Sequence, residues 1–186
     1  MVRKALITGI TGQDGAYLAR FLIEKGYKVF GTFRRTSTPN FWRLNYLNVA
    51  EKIELIPMDL TDLSSIMEAI NYSDPDEIYQ LAAQSFVGRS FEEPLSTSDI
   101  TGLGTLRVLE GARLLKTDAK IYQASTSELY GNDASKLKMK KRYSLQKVHM
   151  QPLNFTLIGF LKYTEKDTIC LSLMEFYLIM SRPLEV

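Results

Sequence analysis

Along the first two thirds of the chain, short apolar runs alternate with longer stretches whose apolar residues recur at helical spacing. The short runs predict five strands, at residues 5–7, 28–33, 53–57, 75–81 and 120–124. The longer stretches predict helices at residues 16–23, 41–50, 63–70 and about 94–115. Because strand and helix alternate, we predict an α/β fold: a doubly wound parallel sheet with helices on both faces.

A glycine-rich loop links the first strand directly to the first helix. The loop consists of Gly9, Ile10, Thr11, Gly12, Gln13, Asp14 and Gly15. Glycines at this spacing permit a sharp turn, a close approach of backbone N–H groups to phosphate, and close packing of helix on strand. The start of the helix adds a partial positive charge. We therefore predict a site for the pyrophosphate of a dinucleotide; an ordinary βα turn rich in glycine is the alternative.

Further candidate binding residues follow the second, third and fourth strands. They are Arg34, Arg35, Thr36 and Ser37, then Asp59 and Leu60, then Leu81, Ala82, Ala83, Gln84 and Ser85. The two arginines and two hydroxyls after the second strand favour NADP, because arginine accommodates the ribose 2′-phosphate; a solvated basic turn is the alternative. Asp59 could meet the adenine, although Asp59 or Thr61 could instead cap the next helix. The small residues after the fourth strand would let the nicotinamide half lie against backbone.

Residues 125–131 follow the fifth strand with hydroxyls and a carboxylate. The carboxyl ends of strands border the crevice where ligands bind in open α/β sheets. Thr126 could hydrogen-bond a substrate hydroxyl there, and Glu128 could remove a proton. A turn followed by a helix cap would also explain these residue types.

Composition adds a few limits to this interpretation. The 186 residues suffice for one domain with a core, and a net charge of +2 gives no reason to expect nucleic acid or a membrane as partner. The single Cys170 excludes an internal disulfide and fits a cytoplasmic location. We expect no signal peptide before the first strand and no membrane span in the apolar residues 169–180, which include Glu175. No motif indicates a metal ion.

Together these motifs resemble the GDP-mannose 4,6-dehydratases, a family of extended short-chain dehydrogenases/reductases, from residue 3 to about Gly131. The resemblance implies a Rossmann-like NADP-binding domain over residues 1–131. It also implies a lyase of GDP-fucose biosynthesis that converts GDP-mannose to GDP-4-keto-6-deoxymannose by internal hydride transfer through NADP. Glu128 would remove the C5 proton and Thr126 would hydrogen-bond the reacting hydroxyl. Family members form homo-oligomers, partly through the segment matching residues 35–43, and the assembly of this chain stays open.

Two residues depart from the family inside the matched part: Phe86 stands where histidine is usual, and Ser96 where tyrosine is usual. After Gly131 the family continues to a helix with the catalytic Tyr-x-x-x-Lys and to a substrate-binding domain. Tyr143 and Lys147 have this spacing but lie too close to Thr126 for the family. We therefore predict that residues 132–186 form a non-family tail and that the substrate domain is missing.

A shifted reading frame explains this departure. Possible codons for residues 149–155, read from the third base of each, can spell Tyr-Ala-Thr-Ser-Lys-Leu, the family's catalytic helix. Residues 143–150 and 174–183 can spell further family motifs in the same frame. The hypothesis is a frame shift between Gly131 and about Lys138, which predicts negligible turnover because the catalytic base and the substrate pocket would be lost. The alternatives are an active dehydratase, a non-catalytic NADP(H)-binding module, another nucleotide-sugar epimerase or dehydratase, or a product that does not fold.

Overall fold

The computed structural model describes residues 1–124, and these form a single parallel β-sheet with helices around it. The strands are β1 (Lys4–Thr8), β2 (Lys28–Phe33), β3 (Ile53–Pro57), β4 (Glu77–Gln80) and β5 (Lys120–Gln123). Their order across the sheet is β3-β2-β1-β4-β5, with all neighbours parallel. This confirms the predicted doubly wound sheet. The chain leaves β1 toward one edge and returns to pair β4 on its other side, which opens a crevice at the carboxyl ends of these two strands.

The helices connect successive strands, as the sequence pattern predicts. They are α1 (Gln13–Glu24), α2 (Trp42–Tyr46), α3 (Leu63–Ser73), α4 (Val87–Glu92), α5 (Pro94–Thr97) and α6 (Gly104–Leu114), with a 3₁₀ turn at Ala50–Lys52. The long helix predicted from about Pro94 to Leu115 is helical from Pro94 to Leu114, but its middle, Ser98–Leu103, is a π-helical segment between α5 and α6, which was not predicted. Helix α4 was not predicted. Its first residue follows Phe86, which provides no side-chain cap.

Side chains of β1 point alternately to two apolar clusters, one on each face of the sheet. Leu6 packs with Ile66 of α3 and Val108 of α6. Ile7 packs on the opposite face with residues of α1, including Leu22. Fully burying an apolar side chain of this size contributes about 1.5–3 kcal/mol. Both faces of the sheet therefore bury a core, and the carboxyl ends of the strands are held in a fixed frame.

Helix α3 is capped by Asp62, whose carboxylate accepts hydrogen bonds from the backbone N–H groups of Ser64 (3.0 Å) and Ser65 (3.2 Å). The alternative in which Asp59 or Thr61 caps this helix is wrong, because Asp62 occupies the position from which a side chain reaches the first-turn N–H groups. Asp59 instead accepts from the backbone N–H of Thr61 at 2.9 Å and from its hydroxyl at 2.8 Å. It thereby closes a turn ahead of the helix.

Several sequence predictions concern positions outside the described residues. These are Thr126 and Glu128, the pair Tyr143 and Lys147, and the tail at 132–186. Among residues 1–124, no helix has the length and apolar character needed to cross a membrane.

Candidate cofactor-binding cleft

A cleft of about 710 Å³ lies at the carboxyl ends of the strands and is lined by residues that are far apart in sequence. It brings together many of the predicted binding residues: Gly9, Thr11, Gly12, Arg34, Asp59, Leu60, Leu81, Ala82, Ala83, Gln84 and Ser85. Parallel strands end at the same edge of a sheet, so the segments that follow β1, β2, β3 and β4 meet there. These eleven predicted residues therefore line one cleft.

The remaining predicted residues occupy other places around the loop. Ile10 is fully buried in the core beneath it, and Gly15 is buried at the start of α1. Gln13 and Asp14 are exposed in the first turn of α1. The last three, Arg35, Thr36 and Ser37, are exposed and do not line the cleft within the described chain. Their contact with a cofactor stays a prediction.

Close backbone contacts around Gly9 and Gly15 leave no room for a side chain. Gly9 has a φ of +67°, and a Cβ there would lie 2.9 Å from the Cα of Ala82. A Cβ on Gly15 would lie 2.6 Å from the Gly9 carbonyl oxygen. Gly12 differs, because a Cβ there would approach only that same oxygen, at 3.2 Å. The loop is therefore tightly packed on its inner side, whereas Gly12 is exposed and lines the cleft, where a phosphate can approach its backbone.

The first turn of α1 begins directly after Gly12. Gly12 is the N-cap and makes no side-chain hydrogen bond to the helix. Its N–H donates to the Gly9 carbonyl at 3.0 Å, and its carbonyl accepts from the N–H of Ala16 at 3.1 Å. The first-turn N–H groups lack intrahelical partners, and the helix dipole is positive at this end. This arrangement suits a bound anion such as a pyrophosphate.

Thr8 and Gln80, both 1% exposed, fix the turn after β4 against the glycine loop. The Thr8 hydroxyl donates to Gln80 Oε1 at 2.6 Å and accepts from the backbone N–H groups of Leu81 and Ala82, each at 3.0 Å. Gln80 Nε2 donates to the Ala82 carbonyl at 3.0 Å. All three hydrogen-bonding positions of the hydroxyl are thus used. These two residues were not predicted from the sequence. Each is a polar side chain at the end of a buried strand, and that position could have indicated them.

Arg34 and Asp59 carry opposite charges on the wall of the cleft. The pKa of Asp59 is lowered mainly by the hydrogen bond from the Thr61 N–H, then by the Thr61 hydroxyl and the charges of Arg34 and Arg107. Arg107 also donates to the Leu60 carbonyl at 3.1 Å and pairs with Asp99 at 2.7 Å. Asp59 is therefore a carboxylate at neutral pH, ready to accept hydrogen bonds from a ligand.

The cleft also contains residues that the sequence analysis did not assign to it. They are Thr32, Phe33, Met58, Phe86, Arg89, Glu93, Ser96 and Ile100. Arg89 and Glu93, one turn apart, form an ion pair at 3.0 Å. Phe86 and Ser96, the two departures from the family, both lie on this wall. Thr32 and Phe33 end β2 and Met58 follows β3, so the parallel topology brings these three to the cleft. The other five reach it through the packing of α4, α5 and the π-helical segment, which no local signal in the sequence marks.

The fold and the loop geometry define a Rossmann-like α/β domain of the dinucleotide-binding type. A family model described as GDP-mannose 4,6 dehydratase matches residues 6–146, and the chain belongs to this family. The match includes residues 132–146, beyond the point where we placed the end of the resemblance.

Individual relatives support this assignment. The GDP-mannose 4,6-dehydratase of Yersinia enterocolitica is 50% identical over 137 residues, which cover 70% of this chain and 37% of that protein. The human GDP-mannose 4,6 dehydratase is 49% identical over 135 residues, with 68% and 36% covered. The chain thus spans little more than a third of the length of these relatives.

Solved structures show the same fold at low sequence identity. A UDP-glucose 4-epimerase superposes with a TM-score of 0.78 at 21% identity, covering 91% of this chain and 50% of that one. The Bifidobacterium longum UDP-glucose 4-epimerase, solved in complex with NAD⁺ and UDP, also has a TM-score of 0.78, at 18% identity, with 90% and 52% covered. These similarities support the fold alone.

Proposed function

We propose that the cleft binds NADP(H) and that the chain carries the cofactor-binding part of a GDP-mannose 4,6-dehydratase. The observation that carries the proposal is the glycine loop, which is packed too tightly for side chains at Gly9 and Gly15 and is exposed to the cleft at Gly12. Family membership supports the choice of GDP-mannose as substrate and GDP-4-keto-6-deoxymannose as product. It likewise supports assignment to the lyases and residues 1–131 as the NADP-binding domain.

The residues around the cleft suit the parts of NADP(H) in turn. Gly12 and the first turn of α1 would hold the pyrophosphate. Arg34, with Arg35, Thr36 and Ser37 beside it, would bind the 2′-phosphate, since guanidinium groups match phosphate geometry. Asp59 and Leu60 would contact the adenosine, and residues 81–85 would lie along the nicotinamide half. When bound, the nicotinamide would supply a hydride acceptor and donor.

The catalytic roles are proposed from the family resemblance. Thr126 would hydrogen-bond the reacting hydroxyl, and Glu128 would take the C5 proton of the sugar. For the 186-residue polypeptide itself we expect negligible turnover, because its sequence contains no Tyr-x-x-x-Lys at the family's distance from Thr126. A non-catalytic NADP(H)-binding protein is therefore the second candidate. We also propose a cytoplasmic location and a homo-oligomeric assembly, as in the family.

Fluorescence titration with NADPH tests the binding. We expect saturable binding that Arg34→Ala weakens by at least about tenfold, since a charge-assisted hydrogen bond contributes about 1.5–3 kcal/mol. Arg20→Ala is the matched control, because Arg20 is exposed on α1 and pairs with Glu24 at 2.9 Å, away from the cleft. The absence of saturable NADPH binding by the unmodified protein would contradict the proposal.

A second assay separates the two candidate functions. The protein is incubated with NADP⁺ and GDP-mannose, and the 4-keto-6-deoxy product is detected by chromatography of the nucleotide sugars. NADPH binding without product supports the non-catalytic candidate for this polypeptide. Product formation that is lost in Glu128→Gln would support the active dehydratase and overturn our expectation of negligible turnover.

A further inference from the structure

Arg43, on the short helix α2, hydrogen-bonds the glycine loop from outside the cleft. Its Nη1 donates to the Thr11 carbonyl at 3.2 Å. Its guanidinium also lies over the ring of Trp42, with Cζ 4.6 Å from the ring centroid. Stacking of this kind restricts the orientation of the guanidinium plane. The donor that reaches Thr11 is therefore held in place by its own neighbour.

This contact fixes the peptide unit between Thr11 and Gly12. The carbonyl oxygen of the unit accepts from Arg43, and its N–H, which belongs to Gly12, donates to the Gly9 carbonyl at 3.0 Å. Both polar ends of the peptide are thus held. Gly12 is also exposed and lines the cleft.

Helix α2 is itself firmly attached near the basic turn. Leu44 is fully buried in the same apolar cluster as residues of α1. Phe41 contacts Phe33 edge to face, with ring centroids 5.2 Å apart. Phe33 directly precedes Arg34, and both line the cleft. One segment, residues 41–44, therefore contacts the glycine loop at one end and the base of the basic turn at the other.

We propose that Arg43 is a positioning residue for the dinucleotide, which acts by holding the Thr11–Gly12 peptide in the orientation that binds pyrophosphate. Arg43 does not line the cleft within the described chain, so its effect passes through Thr11. The inference rests on the proposed NADP(H) binding. It adds Arg43 of α2 to the residues that act on the pyrophosphate. Arg34, in contrast, would act on the 2′-phosphate.

Two ligands separate these roles in the full 186-residue chain. NADPH contains the pyrophosphate, whereas 2′-AMP has only the adenosine and the 2′-phosphate. We expect Arg43→Ala to weaken NADPH binding about tenfold, as loss of a hydrogen bond from a charged donor would. Binding of 2′-AMP, measured by displacement of NADPH, should stay within about twofold of the unmodified protein. Arg34→Ala should weaken both ligands, and the control Arg20→Ala should weaken neither.

Arg43→Lys provides a partial rescue. Lysine keeps the positive charge and a donor but lacks the planar group that stacks on Trp42, so it should recover only part of the lost NADPH affinity. An Arg43→Ala protein that binds NADPH like the unmodified protein would overturn the proposal. Equal losses for NADPH and 2′-AMP would also overturn it, since they would indicate a general structural role.

A measurement without cofactor distinguishes failure of this inference from failure of the proposed function. Amide hydrogen exchange of residues 9–15 should be faster in Arg43→Ala than in the unmodified protein and intermediate in Arg43→Lys. Unchanged exchange in Arg43→Ala would overturn the role of Arg43 whether or not the protein binds NADPH. Failure of the unmodified protein to bind NADPH, with faster exchange in Arg43→Ala, would contradict the cofactor assignment alone.

Discussion

Replacing Gly15 with alanine tests how closely α1 packs on the glycine loop. Gly15 is buried in the first turn of α1. The new Cβ would lie 2.6 Å from the Gly9 carbonyl oxygen and 2.8 Å from the Cα of Ile10. Both are backbone atoms, so no side-chain rotation can relieve the overlap. The start of α1 must move away from the loop, or the loop must move away from α1.

Two opposing effects determine how much Gly15→Ala changes the free energy of unfolding. Alanine is favoured over glycine inside a helix by about 0.8–1 kcal/mol. Overpacking of a well-packed site costs about 1–3 kcal/mol, and contact with rigid backbone places Gly15 toward the upper end. We therefore expect Gly15→Ala to lower the free energy of unfolding by about 1–2 kcal/mol. Displacement of the first turn should also weaken NADPH binding.

Urea denaturation followed by far-ultraviolet circular dichroism measures this change. Gly111→Ala on α6 is the matched control. A Cβ there would come no closer than 3.3 Å, to Cγ2 of the buried Ile66, so a side chain must shift by a few tenths of an ångström but no backbone atom is in the way. The gain in helix propensity offsets this tight contact, so the free energy of unfolding should stay within about 1 kcal/mol of that of the unmodified protein. A Gly15→Ala protein as stable as the unmodified one would refute the close packing described here.

Three further predictions concern other parts of the chain. Asp62→Ala should lower the free energy of unfolding by about 1 kcal/mol through loss of the α3 cap, whereas Asp62→Asn should retain nearly all of it, and urea denaturation measures both. Because the folded pKa of Asp59 is lowered from its ordinary 3.8, the stability it contributes is present above that pH and lost as the pH falls through the lowered value. The difference in unfolding free energy between Asp59→Asn and the unmodified protein should therefore be seen at neutral pH and shrink below pH 3.8; a constant difference would contradict the assignment. The gene's codons from His149 onward should spell Tyr-x-x-x-Lys when read from the third base, and a nucleotide sequence without it would exclude the frame-shift hypothesis.

The strands were predictable because buried parallel strands are short apolar runs, and turn residues bound them on both sides. The predicted bounds of β2 and β3 agree with the structure at both ends. Helix α4 was not predictable in this way. Its six residues have no capping side chain and too few turns for an apolar period. The π-helical segment also escapes prediction, since apolar spacing does not reveal where the helical hydrogen-bond register changes.

The parts of the candidate site that directly follow a strand could be predicted from the sequence. The glycine loop and Arg34 follow strand ends, and parallel topology alone brings strand ends together. Arg43 illustrates what the sequence could not show. It contacts Thr11, 32 positions earlier in the chain, and only the packing of α2 on α1 makes the contact possible. Arg89 and Glu93 reach the cleft for a similar reason, through the placement of α4.

The most direct test of the central claim compares the dissociation constants of NADPH and NADH on one preparation of the unmodified protein. The two ligands differ only in the 2′-phosphate, which we propose is bound by Arg34 and the turn that follows it. A charge-assisted contact to this group should make NADPH bind about tenfold or more tightly than NADH. Equal affinities, or tighter binding of NADH, would contradict the account and would show that Arg34 belongs to an ordinary solvated turn.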